Sequence, residues 1–211
     1  MGHSQAEKAA SRERVLRIAA RKVRTDGVGG LGVADVMKEA GLTHGGFYKH
    51  FASRDDLVTQ AAAAALTEGS AKMERAARKN ERDARAGLLD AYLSEQHRDT
   101  PATGCALVPL GAAAGRDGTD GDVHLKDAYE RQVRAYLDLI AGLDENAENA
   151  ENAGDAEDAE DARAEAVLTL SALVGAVLMS RAVADGDLSD EILETVNRRL
   201  KHRAGPRPAQ A

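Results

Sequence analysis

The sequence is poor in cysteine and in aromatic residues. Its 211 residues include a single cysteine, Cys105, and no tryptophan, and Phe, Trp and Tyr together make up 3% of the chain. One cysteine cannot form an internal disulfide, and the N-terminus MGHSQAEKAA lacks the apolar core of a secretory signal. Both absences favour a cytoplasmic protein.

The sequence also lacks strand-like alternation and long apolar runs. The uncharged, strongly apolar run over residues 166–180 falls short of the ~20 residues of a membrane span and contains Thr169, Ser171 and Ser180. It predicts a buried helix and no membrane partner. Alanine, leucine, arginine and glutamate are abundant, so we expect an all-α fold.

Charge is unevenly distributed along the chain. The net charge is −7, yet residues 1–57 hold ten Lys or Arg against seven Asp or Glu. Most of the acidity lies in residues 144–165, where ten acids accompany one arginine and alanine recurs with a period of three. This acidic segment predicts a solvated linker, or a weak helix as the alternative. The acidic total therefore does not exclude a nucleic-acid partner for the basic N-terminal region.

Helical patterns run along most of the chain. Helices are predicted over residues 11–26, 33–40, 43–51, from 53 into the eighties, and over 85–97, 105–114, 123–142, 166–183 and 188–202. Gly27 is a natural stop for the first, and Ser53 caps the fourth with Asp56 as its partner three residues on. The apolar helix over 166–183 beside an amphipathic final helix predicts a homodimer. The tail, residues 205–211, is predicted to be disordered.

Two short helices around a glycine-containing turn, in the basic region, are typical of a helix-turn-helix. One set of apolar residues can pack the inner faces of these helices: Val36, Ala40, Leu42, Phe47 and Phe51. A second set is left facing outward: Thr43, His44, Gly45, Tyr48 and Lys49. Because this motif places the start of its second helix in the major groove, the outward set is predicted to face DNA.

The adjacent glycines Gly45 and Gly46 are unusual for a helix. Each glycine in a helix interior costs roughly 0.5–1 kcal/mol relative to alanine. A pair is therefore expensive unless something must approach the backbone closely. The position of the pair predicts that this partner is the DNA groove.

The stretch GLTHGGFYKHFASRDDL, preceded by GVGGLGVADVMKEA, resembles the N-terminal signature of TetR-type (TetR/AcrR) transcriptional regulators. The likeness spans roughly residues 8–68. It implies an all-α homodimer with a DNA-binding domain over 8–68 and a helical ligand-binding and dimerisation domain over 69–204. Such a protein represses transcription from a double-stranded DNA operator until a small-molecule effector binds.

The resemblance also implies roles for individual residues. Thr43, Tyr48 and His50 stand where the family contacts phosphates, and Arg54 replaces a lysine that does likewise. Direct base reading is predicted to rest on His44 and Lys49, since lysine can donate to the guanine edge. The predicted DNA-contacting residues are Gly32, Thr43, His44, Gly45, Gly46, Tyr48, Lys49, His50 and Arg54.

The second domain is less informative. The stretch YLSEQHRDTPATGCALVPLGAAAGR resembles one subgroup of the family and implies no particular ligand. Ordinary core packing fits the candidate ligand-lining residues as well as a pocket does: Met73, Tyr92, Cys105, Tyr129 and Tyr136. Cys105 is either a buried small residue or an oxidant-sensing thiol at a helix start. The histidines show no metal-ligand spacing, so neither a metal nor another cofactor is expected.

Two other classes of protein stay open at this point. A helical enzyme would need a nucleophile and base, a phosphate-binding glycine loop or paired carboxylates in an apolar setting, and the sequence shows none of these. The other is a DNA-binding regulator controlled by a protein partner or by Cys105 oxidation. Ligand-induced stabilisation would separate it from an effector-controlled repressor.

Overall fold

The computed structural model describes residues 5–80, 82–116, 120–145 and 156–203. Throughout these ranges the regular structure is helical and no strand is present, which confirms the all-α prediction. The described elements are, in chain order, α1 (Gln5–Asp26), α2 (Val33–Glu39), the 3₁₀-helix η1 (His44–Lys49), α3 (Arg54–Lys79), α4 (Ala84–Tyr92), α5 (Glu95–Asp99), the 3₁₀-helix η2 (Pro101–Thr103), α6 (Leu107–Ala114), α7 (Asp120–Glu145), α8 (Ala156–Ala182) and α9 (Gly186–Arg203).

The chain forms two compact units. The first holds the described parts of Met1–Gly69 and of Pro101–Gln132, and the second holds those of Ser70–Thr100 and Val133–Ala211. The division into a DNA-binding domain over 8–68 and a ligand-binding domain over 69–204 stays a prediction, because compactness alone does not assign function.

Local signals set the ends of the N-terminal helices. Gly27 and Gly41 have φ values of +68° and +71° and end α1 and α2 in the left-handed conformation that glycine tolerates. At the start of α3, the Asp56 N–H donates to Ser53 Oγ at 3.0 Å, and the Asp56 carboxylate accepts from the Ala52 N–H at 2.9 Å. The stop at Gly27 and the cap at Ser53 are therefore confirmed.

The core of the first unit lies between α1, α2, η1 and α3. The phenyl rings of Phe47 and Phe51 stack with their centroids 5.6 Å apart. Side chains that are at most 2% exposed fill the remaining space: Val15, Ala19, Val23, Val36, Met37 and Leu57. Of the predicted inner-face residues, Leu42 alone is half-buried, while the other four are buried.

A buried arginine connects three elements of the first unit. Arg24 is 5% exposed, and its guanidinium donates to the carbonyls of Ala65 at 3.0 Å and Ala102 at 3.3 Å while pairing with Glu68. The end of α1 is thereby held against α3 and η2. A buried guanidinium is costly unless it is paired and hydrogen-bonded in this way.

In the second unit, α8 packs along α9 with Leu173, Val177 and Leu193 in their shared core. Two arginines hold α5 in place. Arg181 donates to the carbonyls of His97 at 2.6 Å and Arg98 at 2.9 Å, and Arg98 itself pairs with Asp190. The carbonyls at the end of this short helix are therefore satisfied by side chains from α8.

The acidic segment is partly helical. Because α8 begins at Ala156, the last ten residues of the predicted 144–165 linker form a helix, and the alternative of a helix holds there. Within that stretch, Arg163 donates to Asp138 at 2.6 Å and Glu165 accepts from Arg203 at 2.6 Å. The rest of the predicted linker, residues 146–155, and the predicted disordered tail over 205–211 lie outside the described residues.

The prediction that residues 166–180 form a buried helix is correct for only one side of α8. Val167, Leu168, Leu178 and Met179 are between 44% and 51% exposed, although Leu173 and Val177 are fully buried. By length and composition alone, Ala159–Ala182 is also apolar enough to cross a membrane, a test that helices of soluble proteins pass as well. The exposed side of α8 is therefore apolar.

The apolar residues of the amphipathic helix α9 differ in burial. Leu193 and Leu200 are buried, whereas Leu188 is 43% exposed and Ile192 is half-buried. The pattern of one helix cannot distinguish the side that packs within the chain from a second apolar side beside it.

Candidate nucleic-acid interface

The helix-turn-helix is formed by α2, a turn at Gly41, and η1. The N–H of Gly41 donates to the Lys38 carbonyl at 3.0 Å, and that of Leu42 donates to the Met37 carbonyl at 2.9 Å. These two bonds close the end of α2 and redirect the chain. The buried side chain of Phe47 then fixes η1 against the core.

The outward residues of η1 and the residue before it form one polar face. Thr43, His44, Gly45, Tyr48 and Lys49 are all exposed. Tyr48 is 74% exposed while its ring meets Phe47 edge-on, with centroids 5.2 Å apart. A large aromatic side chain anchored at its base and open at its hydroxyl is well placed to donate a hydrogen bond to a partner.

The second helix is shorter and tighter than the predicted one over residues 43–51. The Gly46 N–H donates to the Thr43 carbonyl at 2.9 Å, and the His50 N–H donates to the Phe47 carbonyl at 2.9 Å, which is 3₁₀ spacing. Adjacent glycines disfavour the α-helix, so the segment is held by the packing of Phe47 more than by helix propensity.

Gly45 and Gly46 occupy different surroundings. A Cβ added at Gly45 would meet nothing within 4 Å, whereas one at Gly46 would lie 3.6 Å from Thr43 Oγ1 and 3.7 Å from Met37 Cε. Both contacts of Gly46 are ordinary van der Waals distances, and neither glycine has a positive φ. Gly45 alone leaves open space above the backbone on the outward face.

Two predicted contact residues have local structural roles. Arg54 donates to the carbonyls of Val28 at 2.8 Å and Leu31 at 3.3 Å, so it holds the loop between α1 and α2. Gly32 is the N-cap of α2, and a Cβ there would lie 2.9 Å from the Asp35 carboxylate. DNA contact by either residue stays a prediction.

Sequence reasoning missed two cations near the end of η1. His50 is half-buried, and burial followed by the charges of Lys8, Arg12 and Lys49 lowers its pKa from the ordinary value. Lys8 and Arg12 lie on α1, about 40 residues away in sequence, so no local pattern could associate them with His50. The outward face of η1 therefore continues onto α1 with the same sign of charge.

The candidate ligand-lining residues fall in both units. Met73, Tyr92 and Tyr136 lie in the second unit and are at most 5% exposed. The Tyr92 ring packs edge-on against His97, with centroids 4.6 Å apart. A role for these three residues in a ligand site stays a prediction.

Cys105 and Tyr129 lie in the first unit. Cys105 is 5% exposed, and the Tyr129 hydroxyl donates to the Leu107 carbonyl at 3.3 Å. Burial, followed by proximity to Cys105, raises the pKa of Tyr129. Within the described ranges, no group of three His, Cys, Asp or Glu side chains is arranged to hold a metal ion.

Comparison with known proteins agrees with this geometry. Residues 15–61 match the model of the bacterial regulatory proteins of the tetR family. One similar solved structure is a TetR transcriptional regulator from Chloroflexus aurantiacus, with 20% identity, a TM-score of 0.74, and coverage of 93% of this chain and 97% of that one. A second is E. coli NemR in its reduced form, with 21% identity, a TM-score of 0.69, and coverage of 92% and 97% of the two chains. A third is a putative TetR-family regulator from Rhodococcus sp., with 20% identity, a TM-score of 0.65, and coverage of 93% and 100% of the two chains. No curated protein sequence matches significantly.

The matched segment runs from α1 through the helix-turn-helix into α3. A helix-turn-helix with an exposed second helix, carrying this family match, defines a DNA-binding transcriptional regulator rather than an enzyme. Residues 15–61 are therefore the DNA-binding domain of the tetR family of bacterial regulatory proteins, and the fold of the chain is similar to that of solved TetR-family regulators.

Proposed function

We propose that this regulator is a homodimeric repressor that binds a palindromic operator in the cytoplasm and leaves it when a small molecule binds. The observation that carries the proposal is the polar face of Thr43, His44, Gly45, Tyr48 and Lys49, which is exposed although the element beneath it is anchored in the core. Exposed side chains on an element that is anchored in the core are available to read a groove.

The apolar side of α8 supports the homodimer. Leu168, Leu178 and Met179 on α8 and Leu188 at the start of α9 are 43% to 51% exposed. A monomer that leaves several large apolar side chains in water forgoes the free energy of burying them. A second copy of this chain, contributing the same surface about a twofold axis, would cover them.

Control by an effector would be a population shift. We assign the effector to the second unit, where Met73, Tyr92 and Tyr136 lie on three different helices and are each buried. A ligand that binds one conformer of this unit better than another favours that conformer by its differential binding free energy. The favoured conformer would present the two recognition helices at a spacing that no longer matches the operator half-sites.

Two other modes of control make different predictions. Oxidation of Cys105 is disfavoured by its burial, since reactive thiols are accessible and ionised. A Cys105→Ser variant should therefore release DNA in response to the same ligand as the wild type. Control by a protein partner would leave the melting temperature unchanged across a screen of small molecules.

Selection of bound duplexes from a random DNA pool tests the proposal. An inverted repeat, with half-sites separated by about one helical turn, would support both operator binding and dimerisation. Recovery of a single asymmetric site would contradict the homodimer, and a pool that is not enriched would contradict operator binding.

A further inference from the structure

The chain passes from the second unit to the first between Thr100 and Pro101. A single residue, Thr100, separates α5, which ends at Asp99, from η2, which begins at Pro101. The Thr100 N–H donates to the Gln96 carbonyl at 3.1 Å, and the Gly104 N–H donates to the Pro101 carbonyl at 3.0 Å. Proline fixes its own φ and restricts the residue before it, so this crossing has little conformational freedom.

An arginine from α8 holds the crossing on the side of the second unit. Arg181 donates to the carbonyls of His97 at 2.6 Å and Arg98 at 2.9 Å. The Arg98 side chain donates to Ser189 Oγ at 3.0 Å and pairs with Asp190 on α9. None of the five residues of α5, all within the described ranges, is buried, so these polar contacts hold α5 in place. They can be released without opening an apolar core.

Arg24 holds the crossing on the side of the first unit. Its guanidinium donates to the carbonyl of Ala102 at 3.3 Å. The same guanidinium donates to the Ala65 carbonyl at 3.0 Å and pairs with Glu68, both on α3, which continues into the second unit after Gly69. One side chain of α1 is thus bonded to the chain at two of the places where it leaves the first unit.

The other end of α5 adjoins a residue that we assign to the effector site. The Tyr92 carbonyl lies 2.6 Å from His97 Nδ1, and the two rings meet edge-on with centroids 4.6 Å apart. The His97 carbonyl is one of the two that Arg181 holds. A ligand that displaces Tyr92 therefore acts on the contacts that fix α5.

We propose that residues 98–102 are a short connector, held by Arg181 in the second unit and by Arg24 in the first, that transmits a displacement of α5 to α1. This inference rests on the proposed function and adds the route by which an effector acts. When both arginines hold the connector, α1 keeps the position that supports the helix-turn-helix. An effector that favours a conformer with α5 displaced would pull η2, and with it Arg24, through one intervening residue.

Reciprocity makes the connector testable with DNA alone. If a ligand of the second unit changes DNA affinity, DNA must change the second unit by the same factor. An operator duplex recovered from the random pool should therefore slow amide hydrogen exchange over residues 183–190, where Arg98 is bound. We expect a slowing of at least about fivefold, the lower end of typical coupling. The amides to follow are those that exchange by local opening, since DNA slows global unfolding in any case.

Lengthening the connector is the main test. Three glycines inserted between Thr100 and Pro101 add up to about 10 Å of chain and leave both arginines in place. Operator affinity should change by less than about threefold, because a longer loop costs little. The slowing of exchange by DNA should fall below about twofold, because the slack no longer transmits a displacement. The same insertion after Arg116, between α6 and α7 within the first unit, is the matched control and should keep the wild-type slowing.

Removing one anchor is the second test. Arg181→Met releases the carbonyls of His97 and Arg98 without lengthening the chain, so DNA should again fail to slow exchange over residues 183–190. Arg163→Met is the matched control, because Arg163 lies on the same helix and donates to Asp138 instead. It should respond to DNA as the wild type does.

The possible outcomes separate the connector from the proposed function. Wild-type slowing that persists in Arg181→Met and in the insertion between Thr100 and Pro101 would overturn the connector alone, since coupling would then pass along α3 or α7. Loss of operator binding by that insertion, with the control intact, would also overturn it, since residues 98–102 would then be needed for binding itself. A wild type that binds the operator without any slowing would overturn the connector and effector control together. A wild type that binds no duplex would overturn the proposed function as a whole.

Discussion

At the scale of single residues, the adjacent glycines Gly45 and Gly46 have different surroundings. Gly45→Ala would place a methyl in open space on the outward face, so the fold should gain about 0.4–1 kcal/mol from a less flexible unfolded chain. Operator affinity should nevertheless fall by at least about tenfold, since one misfitted base contact costs ~1–3 kcal/mol. Urea unfolding beside an operator titration measures both effects.

Gly46→Ala is the matched control for that substitution. Its methyl would meet Met37 and Thr43 at ordinary contact distances inside the motif, so DNA affinity should be retained. Wild-type affinity in Gly45→Ala would show that the DNA groove does not approach the backbone at this position.

His97 gives the second unit a stability that depends on pH. Burial lowers the pKa of His97 below the ordinary value of 6.5, although its Nδ1 lies 2.6 Å from the Tyr92 carbonyl. The unfolded chain therefore binds more protons than the folded one, and stability should decline as the pH falls below about 6.5. Urea midpoints at pH 7.5 and 5.5 should differ less in His97→Gln, whose amide can still donate to that carbonyl. Identical differences in the two proteins would refute the linkage.

The sequence predicts which residues of the motif face outward, because burial alternates with the helical period around Phe47 and Phe51. It does not predict that Lys8 and Arg12 act on His50. The charges of these two residues reach His50 only after α1 has packed against the motif, and their spacing in the sequence is typical of any solvated helix. The positions of Arg54 and Gly32 likewise depend on the loop before α2, whose conformation has no periodic signal.

At the scale of elements, Arg24 joins α1 to α3 and η2. Arg24→Ala would remove the hydrogen bonds to the Ala65 and Ala102 carbonyls and the ion pair with Glu68, which should destabilise the protein by about 2–4 kcal/mol. Arg21→Ala removes a cation on the same helix whose side chain is 49% exposed, and should cost within about 0.5 kcal/mol. The difference between the two unfolding free energies measures how much the interactions of Arg24 with α3 and η2 stabilise the protein. Equal effects would mean that Arg24 contributes no more than a surface charge.

Most helix positions are well predicted and helix ends are not, and the single helix predicted over residues 85–97 is divided into α4 and α5 because Ser94 caps a new helix. α6, α7 and α9 start and stop within a few residues of their predicted bounds, since apolar periodicity and glycine stops define them. α1 starts at Gln5 and α8 at Ala156, both earlier than predicted, because polar alanine-rich segments extend a helix without any apolar pattern. The 3₁₀ form of η1 was also missed, since it depends on how Phe47 is anchored.

At the scale of the whole molecule, the apolar side of α8 should determine the oligomeric state. Leu178→Glu would place a charge in the proposed dimer surface while leaving the single chain nearly undisturbed, because Leu178 is 51% exposed there. Sedimentation should show a monomer with weakened operator binding. Arg75→Glu, at an exposed position of α3, should remain a dimer. A Leu178→Glu dimer of unchanged stability would contradict this surface.

The 3₁₀ form of η1 limits how much DNA sequence each copy can read. At ~2.0 Å per residue, His44 to Lys49 spans about 10 Å, or roughly three base pairs of ~3.4 Å each. Two copies would distinguish roughly four thousand six-base-pair sequences, far fewer than the ~10⁶ competing positions in a genome. The sequence discrimination that base contacts do not supply must then come from the bendability and groove width of the operator. The phosphate contacts form fully only on DNA of the right shape, so deforming a poorly suited sequence costs binding free energy.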